Sequence, residues 1–139
     1  MKRGPDDLQW QDLKKRIAKR DHGSCRLLGI LSLRENMMLC AVAKQKDAKR
    51  FIPIIDPAHI FPVSRYPHLC YEDDNVVLLN RFAHDCLEDK ISPFTGELLE
   101  DEDYNKIFIR IVGEKKFNTL TIWANNPDIY QQEKNIWET

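Results

Sequence analysis

Three prolines, Pro57, Pro62 and Pro67, punctuate the centre of this 139-residue chain and limit what it can fold into. Proline has no backbone N–H and disfavours helical backbone in the residue before it. The stretch around them is therefore extended or irregular, and helices are left to the flanks. On the N-terminal side Pro5-Asp6-Asp7 reads as a helix start, its carboxylates facing the positive end of the helix dipole. Trp10, Leu13 and Ile17 follow at helical spacing as one buried stripe, with Lys14, Lys15, Arg16, Lys19 and Arg20 largely off it. Asp21-His22-Gly23-Ser24 reads as a stop and turn.

Two apolar runs, 25–33 and 37–43, are separated by Arg34-Glu35-Asn36 and read as short strands able to form a hairpin. A third run, 51–55, leads into Asp56-Pro57. Residues 75–79 read as a strand, and 80–89 as a helix with Asn80 as N-cap and Phe82, Cys86 and Leu87 facing inward. Ser92 to Gly96 is a turn. The clearest helix of the second half spans 103–112: acidic residues precede it, Tyr104, Ile107, Phe108 and Ile111 form its stripe, and Gly113 closes it. The tail from 117 to 139 is open between a strand and a short helix.

Charge is unevenly divided. Residues 1–50 hold 13 Lys and Arg against 6 Asp and Glu, whereas residues 51–139 hold 8 against 16, so a net charge of −1 hides a basic and an acidic half. A basic half suggests a polyanion partner; it is equally what a solvated helix face provides. No apolar run is long enough to cross a membrane, and Met1 to Pro5 lacks the apolar segment of a signal peptide, so an intracellular, cytoplasmic protein is expected. The four cysteines form no CxxC pair and are expected to be free thiols in such a compartment.

The residues that carry chemistry lie in Asp56-Pro57-Ala58-His59-Ile60-Phe61-Pro62, then Asn75, then Ala83-His84-Asp85. Any one of them alone reads blandly: His59 as a satisfied core histidine, His84 as a surface helix residue, Asn75 as a turn former. Together, an HxxP element, an asparagine and a histidine nine residues later resemble the signature of HNH (ββα-metal, His-Me finger) endonucleases. The resemblance covers roughly residues 10–95, since the Trp-bearing first helix and the Arg20-Asp21-His22-Gly23 turn also look like the segment leading into that family's finger. It implies an α+β domain over 1–139: a ββα-metal finger at about 20–92, flanking N-terminal and C-terminal helices, and a helical extension at about 97–139. It implies metal-dependent hydrolysis of DNA, with His59 as general base, Asn75 holding the loop that orients it, and His84 as a metal ligand.

Two features depart from the pattern of the resembling family. The residue before the base is commonly a ligand but here is Ala58. Asp56, on the same strand face, and Glu88, one helical turn beyond His84, are the candidates to complete the metal shell, with Asp85 weaker. The cysteine pairs of many relatives are missing, so no structural four-cysteine zinc is expected, and only a His22/Cys25-based site stays open. One histidine with carboxylates and water favours Mg²⁺ or Mn²⁺ over Zn²⁺ or Ni²⁺; His68 reads as loop. Arg65 and Arg81 are candidate phosphate contacts or surface ion-pair partners, and Lys15 and Lys19 candidates to lie along the DNA backbone. One active site cuts one strand, so a monomer would nick and a homodimer could break both. Phages, mobile elements and restriction systems are the contexts the resemblance implies. The rival expectation is an HNH-like nucleic-acid-binding module that lost catalysis through Ala58. A third is an unrelated α+β protein, in which His59 and His84 would lie apart.

Overall fold

The computed structural model describes residues 7–138, with six helices and a two-strand antiparallel sheet among them: α1 (Leu8–Arg20), α2 (Leu33–Gln45), β1 (Ile55–His59), β2 (Val76–Asn80), α3 (Arg81–Glu88), α4 (Asp101–Val112), α5 (Glu114–Asn125) and α6 (Pro127–Glu138). This is an α+β architecture. Pro5 and Asp6, read as part of the first helix start, lie outside the described residues. Asp7 is the N-cap itself, its carboxylate accepting from the Trp10 N–H at 2.8 Å.

The sheet is the middle layer. Ile55 pairs with Asn80 and His59 with Val76, so the two strands match over their full length. Every residue of β2 is buried, which requires cover on both faces. Strand alternation sends Val76 and Leu78 to one side, where Trp10, Leu13 and Ile17 of α1 meet them. Val77 and Leu79 go to the other, into the larger core with Phe82 and Ala83 of α3, Leu39 and Val42 of α2, Phe108 of α4 and Leu120 of α5. α3 begins directly after β2, because the Asn80 carboxamide accepts from the Ala83 N–H at 2.9 Å and caps it.

Two expectations fail here. The runs 25–33 and 37–43 are not strands: α2 fills most of that region, preceded by a single short 3₁₀ turn at Leu28–Ile30. Ser32 and Glu35 form a reciprocal capping box, and the helix buries Leu39, Val42 and Ala43 at helical spacing, so the cap and the face outweigh the local apolar density. The tail holds two helices rather than a strand or one short helix. α5 buries Phe117, Leu120, Trp123 and Ala124, and Asn126-Pro127 breaks it from α6. The expected α1, β2, α3 and α4 are present, α4 closing at Gly113 with φ 93°. All four cysteines are free.

Asp21, read from sequence as a helix stop, ties three layers together. Its buried carboxylate accepts from the Leu78 N–H of β2 at 3.1 Å, from Arg20 at 2.8 and 2.9 Å, and from Arg26 at 3.0 Å. Arg26 also donates to the Ile111 carbonyl of α4 at 2.8 Å. Burial works to raise the Asp21 pKa, but the Arg20 hydrogen bond, the Leu78 N–H and the two guanidinium charges outweigh it and hold it below the ordinary value. A depressed carboxylate contributes stability above the unfolded-state pKa and loses it as pH falls through the folded value. Asp21→Asn is expected to destabilise the fold by about 3 kcal/mol in urea unfolding at neutral pH. The gap between variant and wild type should narrow as the medium is acidified below the ordinary carboxylate range.

Candidate functional site

The loop between the strands is set by one side chain. Asn75 is fully buried at the foot of β2, and its carboxamide makes three bonds: Oδ1 accepts from Phe61 N–H at 2.8 Å, and Nδ2 donates to the carbonyls of Phe61 at 3.0 Å and Leu69 at 3.2 Å. The Asn75 carbonyl also accepts from the Ile60 N–H at 2.8 Å. Asn75 thus holds both ends of the loop that follows His59.

That loop delivers the Cys70 carbonyl to His59, whose Nε2 lies 3.0 Å from it. A carbonyl only accepts, so Nε2 carries the proton in this bond and the ring's lone pair is on Nδ1. The ring also stacks on the buried indole of Trp10, centroids 5.0 Å apart and planes 18° from parallel. Burial lowers the His59 pKa, the Cys70 hydrogen bond opposes this, and the nearby His84 charge lowers it further, leaving the net value below the ordinary one.

His84 projects from the middle of α3 and is buried between two carboxylates. Its Nδ1 faces Asp56 Oδ2 at 3.4 Å, and its Nε2 faces Glu88 Oε1 at 3.5 Å. Asp56 is itself buried and takes both guanidinium arms of Arg81, at 3.1 and 3.0 Å. The His84 ring thus has a carboxylate at each of its nitrogens.

His59, His84 and Glu88 line one cleft of about 290 Å³, together with Ala58, Lys90 and Tyr104. Tyr104 comes from α4 and donates to the Ile60 carbonyl at 2.9 Å. Burial pushes its hydroxyl well above the ordinary phenol value, which makes it a fixed donor.

The other predicted residues do not line this cleft. Asn75 stands behind it as the clamp described above. Asp56 lies on the far side of the His84 ring from Glu88, so the two carboxylates address different nitrogens. Arg81 is turned inward onto Asp56. Arg65 is exposed, its guanidinium 5.6 Å from the Tyr66 ring centre, in the loop whose Pro62, Val63 and Ser64 form one cleft wall. Lys15 and Lys19 are exposed on α1, while Arg16 of that helix is bound by both arms to Asp73 at 3.0 and 2.9 Å. His68 is bound to the Trp123 carbonyl at 2.8 Å, away from the cleft lining. Sequence reasoning missed the Trp10 stack, the Asp56–Arg81 pair, and the two cleft residues Lys90 and Tyr104. Trp10 was legible as apolar and buried, but nothing in the sequence joins it to a residue 49 positions away.

Among the described residues no group of three or more His, Cys, Asp or Glu is placed to hold a metal. His84 and Glu88 together supply one nitrogen and one carboxylate. That donor set suits a hard ion such as Mg²⁺ or Mn²⁺, which keeps several waters and takes further oxygens from a phosphate. Comparison of the chain with protein-family models, with curated proteins and with solved structures finds no match.

In the folded protein His59 is expected to be the Nε2-protonated tautomer at neutral pH, and to titrate below the ordinary histidine value in long-range ¹H–¹⁵N spectra. Its contribution to stability is present above that ordinary value and is lost as pH falls from it through the folded one.

Proposed function

We propose that this chain is a metal-dependent DNA endonuclease of the HNH type, with β1, β2 and α3 as its ββα-metal finger. The observation that carries the reading is the convergence of His59, His84 and Glu88 on one cleft, on elements that follow one another as strand, strand and helix. The order of His59, Asn75 and His84 in the chain and the clamping role of Asn75 both agree with it.

The chemistry follows from the side chains. Nδ1 of a neutral His59 accepts a proton from water as the water oxygen attacks phosphorus. The phosphorus–oxygen ester bond breaks with the electron pair passing to the leaving oxygen, which takes its proton from solvent. The Cys70 carbonyl and the Trp10 face keep the imidazole in one tautomer and one orientation. A divalent ion held by His84 and Glu88 would supply Lewis-acid polarisation of the phosphate and charge stabilisation at the leaving oxygen. Asp56, fixed by Arg81, sets the His84 tautomer and leaves Nε2 as the donor. Lys15, Lys19 and Arg65 offer exposed cations for phosphates outside the cleft.

A second reading has its own observation. Ala58, buried on the α3 face of β1, offers no donor where the resembling family commonly has a ligand, and Asp56 is committed to Arg81. A catalytically impaired nucleic-acid-binding module is the alternative. Supercoiled plasmid incubated with EDTA, Mg²⁺, Mn²⁺, Ni²⁺ or Zn²⁺ separates the two. The nuclease reading expects nicking that needs an added ion, with Mg²⁺ or Mn²⁺ best, and a loss of about 10²–10⁴-fold in His59→Ala. His84→Ala should lose activity together with ion dependence. DNA retained without cleavage under every ion would favour the binding module.

A further inference from the structure

The end of α3 is closed by a turn to which lysine is poorly suited. The Ile91 N–H donates to the Cys86 carbonyl at 2.8 Å and the Lys90 N–H to the Leu87 carbonyl at 3.1 Å. These are the paired bonds of a Schellman closure, whose pivot residue takes left-handed backbone and is usually glycine. Lys90 is that pivot, with φ 57°. His22 and Asp47 take similar backbone after α1 and α2, but histidine and aspartate tolerate it better than most residues do. A Cβ and a long side chain at position 90 work against the local fold. Strain of this kind is kept where the side chain has another role.

The place of that side chain indicates the role. Lys90 lines the cleft that also holds His59, His84 and Glu88. Its ammonium rests on the face of Tyr104, 4.1 Å from the ring centre, and 3.2 Å from Asp101 Oδ1. Tyr104 is in turn bonded to the carbonyl of Ile60, the residue after His59. The Asp101 carboxylate is almost fully exposed, so water replaces the ammonium there at little cost. A cation is thus kept at the cleft on a flexible stem.

We propose that Lys90 is a phosphate-binding residue of this cleft, its ammonium meeting a non-bridging oxygen of a bound nucleic-acid phosphodiester. The inference rests on the nuclease reading of the same cleft. Lys90 forms and breaks no bond; it adds positive charge where the phosphate becomes more negative.

Three variants test it: Lys90→Gly, Lys90→Met, which keeps the stem over Tyr104 without the charge, and Lys90→Arg. Each is measured for melting temperature, metal-dependent plasmid nicking, and the salt dependence of oligonucleotide binding in EDTA. The expected result is that Lys90→Gly melts above wild type yet nicks at least about tenfold more slowly. Lys90→Met should slow alike, and Lys90→Arg should keep most of the activity. In both uncharged variants the slope of log affinity against log salt should become shallower by about one ion. Wild-type nicking rates and an unchanged salt slope in Lys90→Met overturn the proposal, whatever the melting temperature of Lys90→Gly. Wild type inert with every ion overturns the nuclease reading, and the salt slope then decides by itself whether Lys90 meets phosphate.

Discussion

The carboxamide of Asn75 is the constraint on which the rest of the site depends. Fully buried, it has no water to fall back on, so the loop between β1 and β2 must close in the one way that satisfies it. Its bond to the Leu69 carbonyl fixes the backbone just before Cys70, and the Cys70 carbonyl is the group that holds His59. Its two bonds to Phe61 fix the backbone just before Pro62, Val63 and Ser64, which form a wall of the cleft. One neutral side chain therefore determines the orientation of a histidine and the shape of the space in front of it, without touching that space.

The alternation of β1 divides the labour between two layers. His59 pairs with Val76 and faces α1, where Trp10 stacks on it; Asp56 and Ala58 face α3, where Asp56 meets His84 and Arg81. The two histidines therefore reach the cleft from opposite sides of the sheet. This makes α1 and α3 equal partners in the site. Asp21 at the end of α1, bonded to the backbone of β2, keeps the first of these layers in register with the sheet. Charge follows the same economy. Arg16 of the basic first half binds Asp73 of the acidic second half, so part of the sequence asymmetry is consumed within the fold.

Much of this was legible in sequence where a local rule and a tertiary demand agree. The stripe of Trp10, Leu13 and Ile17, the Asn80 cap and the Tyr104 to Ile111 stripe each announce a helix that the core then uses. The apolar run of β2 announces a strand that is buried on both faces. Legibility ended where two local signals compete. Around Met37 to Ala43 apolar density suggests strand, while Ser32 and Glu35 cap a helix; the cap is the better guide because it satisfies specific backbone groups. In the candidate site, the order of His59, Asn75 and His84 groups residues that the structure brings near one another, His59 and His84 on one cleft and Asn75 clamping the loop after His59. The partners that tune them could not be named from sequence: Asp56 with Arg81, Trp10 with His59, and Lys90 with Tyr104 are meetings between elements, and no spacing encodes them.

The central proposal is that His84 and Glu88 hold a divalent ion in the cleft that His59 lines. The most direct measurement is a Mn²⁺ titration of isotope-labelled protein, reading paramagnetic broadening of assigned side-chain resonances. The account predicts that His84 and Glu88 broaden first, with His59 next, while resonances of α2 and α6 stay sharp. Broadening that spares His84, or that persists unchanged in His84→Ala, would contradict it.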